Sequence, residues 1–168
     1  ARPTEEHLQC VQRVLRYISG SKDRGLVYRT GTSPQLVGYT NADWAGNVGD
    51  RRSTSGFTLS LGSVAIAWSS KKQPIVALSS TNSKYRGAAV TTCEAIWLKR
   101  LLKDLQVEVS DPTTIYYDNL SNIQLEEPIF HARTKHTEVH YHFVCERVLF
   151  GEVKLQYVLT DQQNADTE

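Results

Sequence analysis

The sequence has no methionine, few cysteines and no excess of one charge. Three cysteines, at positions 10, 93 and 145, are an odd number at wide spacing, which argues against a disulfide framework and favours a reducing compartment. Nineteen basic and 18 acidic residues give a net charge of +1, so any attraction to nucleic acid or membrane must come from a local patch. Because methionine is missing even at position 1, we expect a processed chain or a piece of a longer product.

Long apolar runs are also missing. The longest, Val64 to Trp68, is far shorter than the roughly 20 residues of a membrane-spanning helix, so we expect no contact with a membrane. The N-terminus has neither a signal peptide nor a basic, serine-rich transit segment. Cytoplasm or nucleus is therefore the expected location, by default.

The 168 residues, 40% apolar and 22% charged, suit one compact domain rather than a disordered chain. Apolar spacing predicts the order βββ-α-β-α-β after a first helix capped by Thr4. We therefore predict an α/β fold with a five-stranded mixed sheet, with three antiparallel strands, then two crossover strands, and helices on both faces. The first helix precedes the sheet, so residues 1–30 are predicted to form an N-terminal helix and connection, and residues 31–168 the main domain.

Three finer predictions concern the helices and connections. Residues 26–28 are predicted to be a short extended piece, and Ser121 to Leu125 a short helix. The buried face of the long helix is predicted to contain Tyr85, Ala88, Ala89, Thr92, Cys93, Ile96, Leu101 and Leu105.

Aspartates at predicted strand ends are the clearest chemical signal. Asp43 follows the first strand, Asp118 ends the fourth, and Asp166 follows the fifth. If such carboxylates converge they bind hard divalent ions, and two ions about 4 Å apart can clamp the attacking and leaving oxygens of a phosphodiester. The alternative from the residues alone is that these aspartates cap turns and helices.

Several ordered blocks resemble the ribonuclease H domain of copia-type retrotransposon polyproteins. The opening HLQCVQRVLRYISGSKDRGLVY resembles the segment that joins the reverse transcriptase to that domain, so a reverse transcriptase is expected upstream in a parent polyprotein. The resemblance implies that the predicted five-stranded sheet is ribonuclease H-like, and it implies cutting of RNA within an RNA–DNA hybrid with two magnesium ions. The blocks are LVGYTNADWAGNVGDRRSTSGFTLSLGSVAIAWSSKKQPIVALSSTNSKY, CEAIWLKRLL, YYDNLSNI, FHARTKHTEVHYHFVCERV and LQYVLTDQQNAD.

The resemblance also implies four metal-binding carboxylates, of which this sequence keeps two. Asp118 and Asp166 are retained, whereas Asn41 and Lys84 stand where the family has Asp and Glu, and Asn82 replaces another common Glu. Four carboxylates would balance the charge of two magnesium ions, but these four residues sum to about −1. We therefore expect magnesium to bind weakly or not at all.

Lys84 and Asp43 each have two interpretations. The Lys84 ammonium is expected to occupy a metal position and bond Asp118 or Asp166; the alternative is a solvated helix lysine. Asp43 points the same way as Asn41 but lies about 6.6 Å further along the strand. It is a possible rescue ligand, although a structural role is the expected one.

Basic residues near predicted turns and helix starts are candidate phosphate contacts, with Trp44, Trp68 and Tyr85 nearby in motif order. The alternative is a solvated surface. An A-like hybrid is recognised mainly through sugar hydroxyls and phosphates, so little base specificity is expected. The candidate contacts are Arg51, Arg52, Lys71, Lys72, Arg133 and Lys135.

These observations favour a copia-derived pseudo-nuclease that binds nucleic acid, with RNA–DNA hybrid as the expected form, and cleaves it poorly or not at all. One alternative is a working ribonuclease H that uses Asp43, Asp118 and Asp166 as metal ligands. Another is a protein-interaction scaffold. The sequence leaves the oligomeric state open.

Overall fold

The computed structural model describes residues 2–29, 31, 34–46, 49–118, 135–159 and 162–165. One five-stranded sheet organises the chain, with strand order β3-β2-β1-β4-β5, which confirms the predicted sheet. The elements in chain order are α1 (Glu5–Gly20), β1 (Leu36–Ala42), β2 (Thr54–Leu61), β3 (Val64–Lys72), α2 (Ser80–Asp104), β4 (Thr113–Tyr117), α3 (Lys135–Leu149) and β5 (Val153–Tyr157).

The sheet combines an antiparallel half with a parallel half. β1, β2 and β3 form an antiparallel meander, and Gly62 takes the positive φ of 60° that the tight β2–β3 turn requires. β4 pairs in parallel with β1, and β5 in parallel with β4. A parallel neighbour needs a long crossover, which α2 supplies between β3 and β4. The carboxyl ends of β1, β4 and β5 therefore meet at one edge of the sheet.

The core lies between the sheet and α2. Gly38 on β1 leaves room for this contact, because a Cβ there would lie 2.9 Å from Leu59 Cδ2 and 3.7 Å from Thr91 Cγ2 of the helix. α3 packs against α2 and β5. The buried apolar cluster consists of Leu36, Leu59, Ala95, Leu98, Ile115 and Val153.

The predicted buried face of α2 is partly wrong. Ala88, Ala89 and Thr92 are buried as expected, but Cys93, Leu101 and Leu105 are exposed. The structure buries Thr91, Ala95, Leu98 and Leu102 instead, a stripe with the same spacing in a different phase. A one-residue slip turns a helix face by about 100°, so Leu102 is buried while its neighbour Leu101 is not.

α1 carries no buried residue. Its N-terminus is capped, since the Thr4 N–H donates to His7 Nδ1 at 3.0 Å and two glutamates occupy the first turn. Residues 26–28 are exposed and belong to no strand of the sheet. The predicted helix at 121–125 lies outside the described residues. None of the described helices has both the length and the apolar character that crossing a bilayer requires.

Candidate functional site

The register of β1 and β4 places two of the candidate residues next to each other. Thr40 pairs with Tyr117 across the parallel strands, so Asn41 and Asp118 are the next residues at the same carboxyl edge. α2 crosses the sheet beside this edge, packing on β1, β2 and β4, and its first turns contain Lys84. The helix begins there because the Ser79 hydroxyl accepts from the Asn82 N–H at 3.1 Å.

Lys84 and Asp118 form a bidentate ion pair. Lys84 Nζ lies 2.8 Å from Asp118 Oδ1 and 2.8 Å from Oδ2. The Asp118 side chain is 8% exposed and the Lys84 side chain 20%, so both charges are largely withdrawn from water. The predicted contact is therefore present, and the alternative of a solvated lysine is wrong. A charge pair in this setting gains from two charge-assisted hydrogen bonds.

Asn41 is half-buried and uses its side chain locally. Its Oδ1 accepts a hydrogen bond from the N–H of the next residue, Ala42, at 2.7 Å. An amide oxygen carries no net charge, and this contact already occupies one of its two lone pairs. Asn41 is thus a weaker cation ligand than the aspartate implied by the family resemblance.

Asp43 joins the end of β1 to the start of β2. Its N–H donates to the Thr54 carbonyl at 3.1 Å, and its carboxylate accepts from the Thr54 N–H. A Cβ at Gly46 would clash with the same carboxylate, which accounts for glycine there. These contacts give Asp43 a structural role that needs no metal. They favour that role over the alternative in which Asp43 serves as a metal ligand.

Three buried polar residues that the sequence did not single out hold the site together. Gln73 Nε2 donates to Ser55 Oγ at 2.7 Å and to the Ser83 carbonyl at 2.9 Å, which joins the end of β3 to β2 and α2. Arg86 Nε donates to Asn82 Oδ1 at 3.0 Å. The partners of Gln73 come from distant elements, so no local sequence pattern marks it. Arg86 bonds an amide one helical turn before it.

Gln163 is the third of these residues, and it fixes the C-terminal segment beside β1. Its Nε2 donates to the Thr40 carbonyl at 3.0 Å, and its Oε1 accepts from the Ala165 N–H at 3.2 Å. The chain up to residue 165 therefore runs next to Asn41. Asp166 itself lies outside the described residues.

The candidate phosphate contacts form one exposed group at the open end of the β2–β3 hairpin. Arg51, Arg52, Lys71 and Lys72 are all exposed. Asp50 forms ion pairs with two of these cations, since its carboxylate lies 3.2 Å from Lys72 Nζ and 3.9 Å from Arg52 Nε. The Arg52 backbone N–H, and then Lys72, hold the pKa of Asp50 below its ordinary value.

Two candidate aromatic side chains, Trp44 and Trp68, are exposed. Arg133 and the Lys135 side chain lie outside the described part of the structure. Trp44 is 53% exposed, and its Nε1 donates to the Ala77 carbonyl at 3.1 Å. Trp68 is 66% exposed on the edge strand β3. Exposed aromatic side chains next to cations are common features of nucleic-acid-binding surfaces.

Groups between α2 and α3 are not activated for chemistry. Tyr85 and Tyr141 pack edge to face with centroids 5.3 Å apart. Burial raises the pKa of the Tyr85 phenol well above its ordinary value, and burial also raises the pKa of the Cys145 thiol. These groups stay protonated at neutral pH, so none of them is a ready thiolate or phenolate nucleophile.

The described residues offer no group of three or more His, Cys, Asp or Glu side chains that could hold a metal ion. At the carboxyl edge of the sheet Asp118 is the one described carboxylate of the four family positions, and its oxygens are taken by Lys84. This part of the site is therefore arranged around an internal salt bridge.

A double-mutant cycle tests the ion pair. Lys84→Met should destabilise the domain by about 1–3 kcal/mol, because it leaves the Asp118 carboxylate desolvated and unpaired. Adding Asp118→Asn should recover part of that loss, giving a coupling of at least about 1 kcal/mol in urea unfolding. Lys71→Met, at an exposed position, is the matched control and should change stability little. Strictly additive effects at 84 and 118 would contradict the pairing.

The chain has relatives among known proteins. No protein-family model matches the chain. It is 42% identical over 166 residues, 98% of its length, to the retrovirus-related Pol polyprotein from transposon RE1 of Arabidopsis thaliana. It is 39% identical over 165 residues, again 98% of its length, to the Pol polyprotein from transposon TNT 1-94 of Nicotiana tabacum. The chain spans only 11% and 12% of these relatives.

A solved structure shares the fold. The crystal structure of LC11-RNase H1 in complex with an RNA/DNA hybrid matches with a TM-score of 0.58, over 77% of this chain and 89% of that one. The sequence identity is 8%, so this likeness concerns the fold alone. The polyprotein relatives show that the chain belongs to the copia-type retrotransposon Pol polyproteins, and the solved structure shows that its fold is ribonuclease H-like.

Proposed function

We propose that this domain binds nucleic acid, with RNA–DNA hybrid as its preferred form, and that it hydrolyses the hybrid weakly or not at all. The observation that carries the proposal is the Lys84–Asp118 ion pair at the carboxyl edge of the sheet. In a ribonuclease H-like domain this is the edge at which the family resemblance puts the metal-binding carboxylates.

The described residues do not fit a pair of magnesium ions. The ribonuclease H family generally uses divalent metal, which carboxylate oxygens hold at about 2.1 Å in the case of magnesium. An ion held at about 2.1 Å from an Asp118 oxygen would lie within about 5 Å of the Lys84 ammonium, which is 2.8 Å from both carboxylate oxygens. At that distance a divalent ion and an ammonium repel by roughly 7 kcal/mol in an effective dielectric of about 20. A neutral amide at Asn41 recovers little of this.

Several features support nucleic-acid binding. The cations at the open end of the β2–β3 hairpin are exposed, and Trp44, after the end of β1, and Trp68, on β3, are exposed aromatic side chains. The fold is shared with a ribonuclease H1 whose crystal structure holds an RNA/DNA hybrid. The net charge of +1 makes this contact a local one that must depend on a few named cations.

Restoring the two lost carboxylates tests the proposed loss of hydrolysis. The native domain should leave a labelled RNA–DNA hybrid essentially uncut in magnesium or manganese. Asn41→Asp combined with Lys84→Glu should gain cleavage, because it removes the ammonium and returns two negative charges to the site. Adding Asp118→Asn to that double variant is the control and should abolish the gain. Cleavage by the native domain that Asp118→Asn abolishes would support the working nuclease instead.

Salt dependence tests the proposed binding surface. The affinity for hybrid should fall steeply between about 50 and 200 mM salt, because phosphate contacts release counterions. Lys71→Ala or Arg51→Ala should weaken binding and make the log–log salt slope shallower by about 1 each. Lys154→Ala is the matched control, since Lys154 is exposed on β5 at the opposite edge of the sheet. If the native domain shows no affinity for hybrid even at low salt, the scaffold interpretation replaces this one.

A further inference from the structure

We infer that this domain binds the hybrid independently of divalent cations, because Lys84 replaces the metal as the positive group that meets a backbone phosphate. The inference rests on the proposed function and specifies how the same site recognises its ligand. It assigns Lys84 a contact with the nucleic acid rather than a purely structural role.

The first point is the charge of the described site, which differs from that of a site with four carboxylates. A site of four carboxylates repels a phosphodiester until bound cations cancel its charge. Here Asn41 is neutral, and the charges of Lys84 and Asp118 cancel within one ion pair. Of the described residues at the four family positions, Asp118 is the one carboxylate, and Lys84 compensates its charge. The carboxylate of Asp43, beyond the end of β1, accepts a hydrogen bond from the Thr54 N–H. Such a site needs no metal before it can accept an anion.

The geometry of the ion pair leaves one N–H donor of Lys84 for a ligand. An ammonium has three N–H donors, and the contacts to Asp118 Oδ1 and Oδ2 use two of them. The Lys84 side chain is 20% exposed and that of Asp118 only 8%, so a ligand at this edge has more access to the lysine side chain than to the carboxylate. A phosphate oxygen is a suitable acceptor for the third donor, and Lys is an established binder of phosphate as a point charge.

Hydrogen bonds of Ser83 fix the backbone beside Lys84. The preceding residue, Ser83, is buried, donates from Oγ to the Ser80 carbonyl at 2.7 Å, and accepts at its own carbonyl from Gln73 Nε2 at 2.9 Å. Asp118 restrains the far end of the lysine. The ammonium is thus held in place before the ligand arrives, which lowers the entropic cost of the contact.

The test compares native affinity with and without divalent ions. Fluorescence anisotropy with a labelled RNA–DNA hybrid is measured in EDTA and in magnesium chloride at matched ionic strength. The native domain should show the same Kd within about twofold in both buffers. Asn41→Asp with Lys84→Glu should bind at least about tenfold more weakly in EDTA than in magnesium, because its site carries uncompensated carboxylates.

Two single variants separate a ligand contact from a structural role. Lys84→Gln should weaken binding in both buffers and make the salt slope shallower by about 1, whereas Lys84→Arg should retain the slope because it keeps the charge. An unchanged slope in a folded Lys84→Gln domain would overturn the contact. Native affinity that rises about tenfold or more with magnesium would overturn the inference while leaving the proposed binding intact. Absence of native binding in both buffers would overturn the proposed function itself.

Discussion

The salt bridge between Lys84 and Asp118 is the constraint on which this account of the domain depends. It connects an early turn of α2 to the end of β4, and both nitrogen–oxygen distances are 2.8 Å. Removing either partner alone leaves a charge in a place where water has little access, since Asp118 is 8% exposed. The same contact sets the chemistry of the edge, because a carboxylate that already neutralises an ammonium is a poor ligand for a second cation.

The fold supplies the setting in which one helix residue has this effect. Parallel pairing of β1 with β4 aligns Asn41 with Asp118, and Gln163 keeps the C-terminal segment against β1. Gln73 anchors the backbone just before Lys84. A scaffold of the ribonuclease H type is therefore maintained by contacts that do not involve metal, which allows the catalytic carboxylates to change without loss of the sheet. Binding of an anionic backbone, the proposed function, requires this scaffold rather than the carboxylates.

Much of this could be predicted from the sequence, for reasons that differ by feature. Strand alternation lies in short local patterns, so the strands of the sheet were predictable. The salt bridge was expected from the family resemblance, with Asp118 or Asp166 as the partner of Lys84, since these residues are far apart in sequence. The buried phase of α2 was mistaken at Cys93 and Leu101, because small residues such as Thr91 and Ala95 pack closely against the sheet with no strong apolar signal. The roles of Gln73 and Gln163 depend on partners from other elements, which periodicity does not reveal.

Calorimetric titration of the native domain with magnesium and with manganese is the most direct test of the central claim. We predict no saturable binding of either ion at millimolar concentration. Such binding should appear when Asn41→Asp and Lys84→Glu are introduced together. Saturable binding of two divalent ions by the native chain, lost on Asp118→Asn, would contradict the claim that the lysine has taken the place of the metal.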